Sequence, residues 1–106
     1  MSLTVSAEAR EDVARAIRDS NSRPDRNGEV LRAEVEEAFV RIAATPRQFS
    51  PAEDGVPGRE YREFFIERFQ QRVIYLVTGE DVLVVAVVHA TRREGAWHRN
   101  LPPESA

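Results

Sequence analysis

The chain has 106 residues, 42% of them hydrophobic and 31% charged, which is the profile of one ordinary globular domain with room for a modest core. It has no Cys, and its two His, His89 and His98, stand apart in sequence, so disulfides and thiolate metal sites are excluded and neither a metal nor a cofactor is expected. The net charge of -3 argues against a grip on long stretches of nucleic acid, and charge near the N-terminus together with apolar runs far short of the roughly 20 residues of a spanning helix sets the expectation of a cytoplasmic protein without signal peptide or membrane anchor.

Leu3-Thr4-Val5 predicts a short strand, although Met1-Ser2-Leu3 could be a cloning remnant. Ser6 is suited to cap a helix over about 7–19, with Glu8, Glu11 and Asp12 near the positive end of its dipole. Ala9, Val13, Ala16 and Ile17 give that helix a thin apolar face. Residues 19–28 form a polar connection in which Asn21, Pro24 and Asn27-Gly28 oppose helix continuation. A second helix is expected over about 29–44, because Leu31, Val35, Ala38, Phe39 and Ile42 make a continuous stripe. Thr45-Pro46 ends it, since Pro disfavours helical geometry in the residue before it. Glu34, Glu36 and Glu37 fall on the solvated side, so they read as surface and not as a carboxylate site. The two helices predict an antiparallel hairpin.

Residues 47–58, with Pro51, Gly55, Pro57 and Gly58, read as a loop. A strand is expected over about 61–69, with Tyr61, Phe65 and Phe69 on one face and Arg62, Phe64, Ile66 and Arg68 on the other. A second runs over about 72–77, and residues 78–81 turn into Val82-Leu-Val-Val-Ala-Val-Val88, an unbroken apolar run of the kind buried on both faces. Tight turns between these segments predict an antiparallel meander, and the chain ends in a flexible tail from about residue 101. The expected fold class is α/β (α+β) in two layers: a single domain over 1–106, its N-terminal helical hairpin packed on a mainly antiparallel four-stranded sheet. The stripe Leu31, Val35, Phe39 and Ile42 should lie against the sheet that contains Ile74 and residues 82–88.

The apolar strand delivers His89-Ala-Thr-Arg92-Arg93 and then Trp97-His98-Arg99 to one end of the sheet, which makes a basic rim and the place to expect a site. All 15 basic residues are Arg, so every cationic contact can use the planar fork that matches phosphate and carboxylate. Residues 1–58 carry 8 Arg against 11 acids, and residues 59–99 carry 7 Arg against 6.

In combination, four segments resemble the RelE/ParE superfamily of small bacterial toxins: Ala44-Thr-Pro46 followed by Phe49, Gly58-Arg-Glu-Tyr-Arg62, Arg72-Val-Ile-Tyr75, and Val85-Ala-Val-Val-His89-Ala-Thr-Arg-Arg93 with Trp97 and Arg99. The resemblance spans about residues 3–100. It implies the toxin half of a type II toxin–antitoxin, or plasmid stabilisation, system, with a small antitoxin as partner and a homodimer as an alternative way to hide the same apolar surface. Two functions follow from it. A ParE-like protein would bind a protein target such as DNA gyrase and catalyse nothing, with Arg59, Arg62, Arg92, Arg93, Trp97, His98 and Arg99 as target-binding residues. A RelE-like protein would cleave messenger RNA on the ribosome, with Arg72 stabilising phosphate and His89 as base. The acidic balance and the His89-x-x-Arg92 pattern favour the first. A decayed member that only binds antitoxin is a third reading.

For Arg59 and Arg62, pairing with Glu60, Glu63 or Glu67 is the plainer expectation. For Trp97, covering the end of the sheet is plainer than stacking on a base. His89, Arg92 and Arg72 are expected to share one polar rim.

Overall fold

The computed structural model describes residues 2–25 and 27–103. Met1 of the suspected remnant, Arg26 of the polar connection and residues 104–106 of the expected tail lie outside the described residues. The elements are β1 (Ser2–Val5), α1 (Ala7–Asn21), α2 (Gly28–Ala44), β2 (Glu60–Ile66), β3 (Gln71–Thr78) and β4 (Asp81–His89), with short 3-10 turns at Pro46–Gln48, Glu67–Phe69 and Ala96–Asn100. The sheet order is β1-β4-β3-β2, with β1 parallel to β4 and the other pairs antiparallel.

Ser6 hands the chain from strand to helix. Its N–H donates to Val84 O at 3.0 Å, and its hydroxyl accepts from Ala9 N–H at 3.1 Å. Asn21, expected to stop α1, is its last residue and serves the next helix instead: its Oδ1 accepts from Gly28 N–H at 3.0 Å. The approach is so close that a Cβ at Gly28 would lie 2.4 Å from Asn21 Oδ1, which explains a glycine at the first position of α2.

One face of the sheet packs on the hairpin. Leu31, Val35, Ala38 and Ile42 of α2 and Ala9 and Ile17 of α1 meet Val73, Tyr75, Val77, Val82, Val84 and Val87. Tyr75 is fully buried, and its hydroxyl donates to Pro46 O at 2.6 Å, which ties β3 to the exit of α2; burial pushes its pKa up to about 12. The other face carries Tyr61, Ile74, Leu76, Val85, Ala86 and Val88 under Trp97 and the 51–58 loop. A bulge changes which residues of β4 serve each face. Ile74 pairs with Ala86 but Tyr75 with Val84, so Val85 is the extra residue and both it and Ala86 serve the second face.

Three expectations are corrected here. Ile74 belongs to the face turned away from the helices, so the α2 stripe packs on Val73 and Tyr75. Phe39 is only half-buried, at the edge of the hairpin. The strand expected over 61–69 ends at Ile66; a 3-10 turn follows, and Gln70 takes a left-handed conformation with φ 55°. That turn rolls Phe69 onto the helix-side core, away from Tyr61, and leaves Phe65 43% exposed.

Candidate interaction site at the end of the sheet

Pairing of β1 with β4 ends at Val5 and Val84, so beyond it the outer edge of β4 has no strand beside it among the described residues. Two side chains take the strand's place. Val87 N–H donates to Asp12 Oδ2 at 3.1 Å, and Asn100 Nδ2 donates to Val85 O at 3.2 Å and to Asp12 Oδ2 at 2.9 Å. Asp12 is buried and also faces Arg15 at 3.4 Å and Arg99 at 3.8 Å. The sequence reading assigned Asp12 to the helix dipole and missed this role. The signal was present: three residues after Ala9 and four before Ala16, Asp12 lies on the apolar stripe of α1.

Beside this edge opens a cleft of about 450 Å³. Arg15 and Arg23 reach it from α1 and the segment after it, Arg68 from the 3-10 turn, His89 from the end of β4, and Arg92 and Arg99 from the C-terminal segment. Asp12, Asp19 and Asp25 line it too, so five arginines meet three aspartates in a chain that is acidic overall.

His89 has a defined tautomer. Thr91 N–H donates to Nδ1 at 3.1 Å, and the Thr91 hydroxyl lies 2.8 Å from the same nitrogen. Nδ1 is therefore an acceptor, and the neutral ring carries its proton on Nε2. A ring in that form offers the cleft an N–H donor, whereas a general base needs a bare nitrogen.

The remaining residues of the expected site are elsewhere. Arg72 does not share the rim with His89 and Arg92. It points to the second face, where its Nη2 donates to Asp54 Oδ1 and Glu63 Oε1, each at 2.7 Å, and its Nη1 donates to Asp54 Oδ2 at 3.1 Å. Asp54 also accepts Gly95 N–H at 2.9 Å, and its carbonyl lies 2.6 Å from His98 Nε2. Burial alone would raise the Asp54 pKa, but the Arg72 fork and the Gly95 N–H outweigh it and hold the carboxyl well below its ordinary value. The Trp97 indole N–H also favours the ionised carboxylate, without reaching hydrogen-bond geometry. In return the two carboxylates hold the Arg72 guanidinium charged, against the opposing effect of burial.

Trp97 is 1% exposed, so it is core and has no face open for stacking on a base. Arg62 is bonded to Glu60 at 2.7 Å and to Phe49 O at 2.6 Å. Arg59 lines a shallow hollow beside β2 with Pro51 and Val56, far from the cleft in the sheet order. Arg93 is exposed next to the rim but does not line the cleft.

A second concavity, of about 540 Å³, lies on the hairpin. Val5, Val13, Ile17, Val35 and Phe39 form its apolar floor, with Arg10, Arg18, Arg32 and Glu36 around it, Arg32 also facing Glu29 at 3.5 Å. Among the described residues, no group of three or more His, Asp or Glu could hold a metal ion, and no helix is long and apolar enough to cross a membrane.

Residues 3–94 match the family model described as the ParE toxin of the type II toxin–antitoxin system parDE. No curated protein matches significantly. Among solved structures, the fold is similar to a chain of the chromosomal ParDE toxin–antitoxin system from P. aeruginosa, with a TM-score of 0.68 and 18% sequence identity over 84% of this chain and 95% of that one.

Proposed function

Starting from the fact that the chain belongs to the ParE toxin family of type II toxin–antitoxin systems, we propose that it acts by binding a protein target such as DNA gyrase, without catalysis, and that a cognate antitoxin neutralises it. The observation that carries the choice of target is the state of Arg72. The alternative, message cleavage on the ribosome, asks this guanidinium to stabilise a phosphate, yet both of its edges are taken by Asp54 and Glu63 on the face opposite the cleft that His89 lines. His89 in turn offers a donor where a base is wanted. The exposed arginines of the C-terminal segment, Arg92, Arg93 and Arg99, are the residues we assign to target binding.

The purified chain should inhibit supercoiling by gyrase and leave message intact in a purified translation system. Arg92→Ala should weaken the inhibition at least several-fold while the melting curve stays unchanged. Clean cleavage by the wild-type chain would overturn this reading, and inactivity in both assays would favour the decayed one.

The hairpin groove is where we place the antitoxin. Its apolar floor and three-arginine rim suit an amphipathic segment with acidic flanks. Phe39 is half-buried at this groove, so Phe39→Glu should reduce antitoxin affinity at least tenfold, read by calorimetric titration, with the fold retained. Unchanged affinity would place the partner elsewhere.

A further inference from the structure

The cleft at the end of the sheet holds more positive charge than the fold uses. Asp12 is consumed by Val87, Asn100, Arg15 and Arg99, and with Asp19 and Asp25 counted the five arginines still exceed the three aspartates of the lining by two charges. Arg23, Arg68 and Arg92 line the cleft with no ion pair among the described residues, and all three are exposed. Placing three such guanidiniums beside Arg15 and Arg99 costs mutual repulsion, which an anion in the cleft would relieve.

The donors converge from α1, the segment after it, the 3-10 turn, the end of β4 and the C-terminal segment. A single carboxylate is satisfied by one arginine fork, whereas a phosphate presents three oxygens and up to two charges, and so uses donors from several directions. With Nδ1 taken by Thr91, the Nε2 of His89 adds a donor to the same lining. The volume of about 450 Å³ falls in the range of small-molecule sites.

We infer that this cleft, built by Arg15, Arg23, Arg68, Arg92, Arg99 and His89, is a binding site for the phosphate of a nucleotide, either free or at the end of a nucleic-acid strand. The inference goes beyond the choice of toxin target and does not depend on it, because the site is defined by its ligand in a two-component binding experiment.

The test is calorimetric titration of the full chain at constant ionic strength in chloride with three probes: inorganic phosphate, adenosine diphosphate and a terminally phosphorylated single-stranded oligonucleotide. Saturable binding of the diphosphate, tighter than that of inorganic phosphate, is expected. Arg23→Ala and Arg68→Ala should each weaken it about tenfold, the loss typical of one charge-assisted contact. Arg47→Ala, whose guanidinium is bonded to Glu60 at the other end of the sheet, should leave it unchanged. Competition between diphosphate and oligonucleotide would assign the site to a terminal phosphate from either source. Binding of the oligonucleotide alone, lost in the same two variants, would assign it to the strand. Absence of saturable binding to all three probes would overturn the inference, as would affinities that the Arg23 and Arg68 variants leave untouched.

Discussion

Trp97→Ala should destabilise the protein by about 3–5 kcal/mol, the cost of emptying a large core position. The indole is fully enclosed, 5.2 Å from the Tyr61 ring and 4.7 Å from that of His98, over Ile74, Val85 and Ala86. Without it, the outer face of β3 and β4 would keep only the 51–58 loop and Leu101 as cover. Trp97→Phe should be much milder, because Nε1 is buried without a hydrogen bond among the described residues and Asp54, the carboxylate it favours, keeps Arg72 and the Gly95 N–H. Equilibrium denaturant melts measure both variants. A loss below about 1 kcal/mol for the alanine variant would mean that the second face of the sheet is not a core at all. The result also bears on function: weakened target binding in Trp97→Ala would report a loosened C-terminal segment, not a lost contact, so Arg92→Ala is the cleaner probe of the surface.

Periodicity made the hairpin and the meander readable. The α2 stripe has one solution as a helix, and an apolar run of seven residues bounded by turns has one as a central strand. The face each residue serves was harder to read. In Val73-Ile-Tyr-Leu-Val77 every side chain is apolar, so nothing in the alternation tells which parity meets the helices, and Ile74 fell on the wrong side. The bulge at Val85 then changes parity partway along β4, with no glycine or proline to mark it. Phe69 moved because the chain leaves the strand at Ile66 for a 3-10 turn closed by the left-handed Gln70, and glutamine gives no warning of that conformation.

The candidate site shows a similar division. That the basic rim would collect at the end of β4 followed from chain order. That Arg15, Arg23 and Arg68 would join it did not, because they come from segments separated in sequence and brought together only by packing. The same holds for partners: Asp12 meets Val87 75 residues away, and Arg72 meets Asp54 across a loop, so a reading based on near neighbours found Glu60 for Arg62 but not Asp54 for Arg72.

Arg72→Ala should cost about 3–5 kcal/mol, because it strands the Asp54 carboxylate, whose side chain is only 4% exposed, without its bidentate partner. Asp54→Asn should be destabilising in turn, and the double variant Arg72→Met/Asp54→Leu should recover part of the loss, since a buried pair is worth less than either half is costly to leave alone. The pH dependence has a definite sign. The folded pKa of Asp54 lies below its ordinary value, so the pair contributes its full stability above the ordinary carboxylate range and loses it as pH falls through about 4 and below. The stability gap between wild type and Asp54→Asn should therefore be flat from about pH 5 to 7 and should narrow under acid. A gap independent of pH would show that the ionised carboxylate is not what holds the 51–58 loop to the C-terminal segment. The same variants separate two roles for Arg72. A residue kept for phosphate stabilisation would lose activity in a chain that keeps its melting point. A residue that pins Asp54, and through it Gly95, would lose activity only in step with stability, with partial rescue in the double variant, and the four hydrogen bonds from Arg72 to Asp54 and Glu63 at 3.1 Å or less lead us to expect the second.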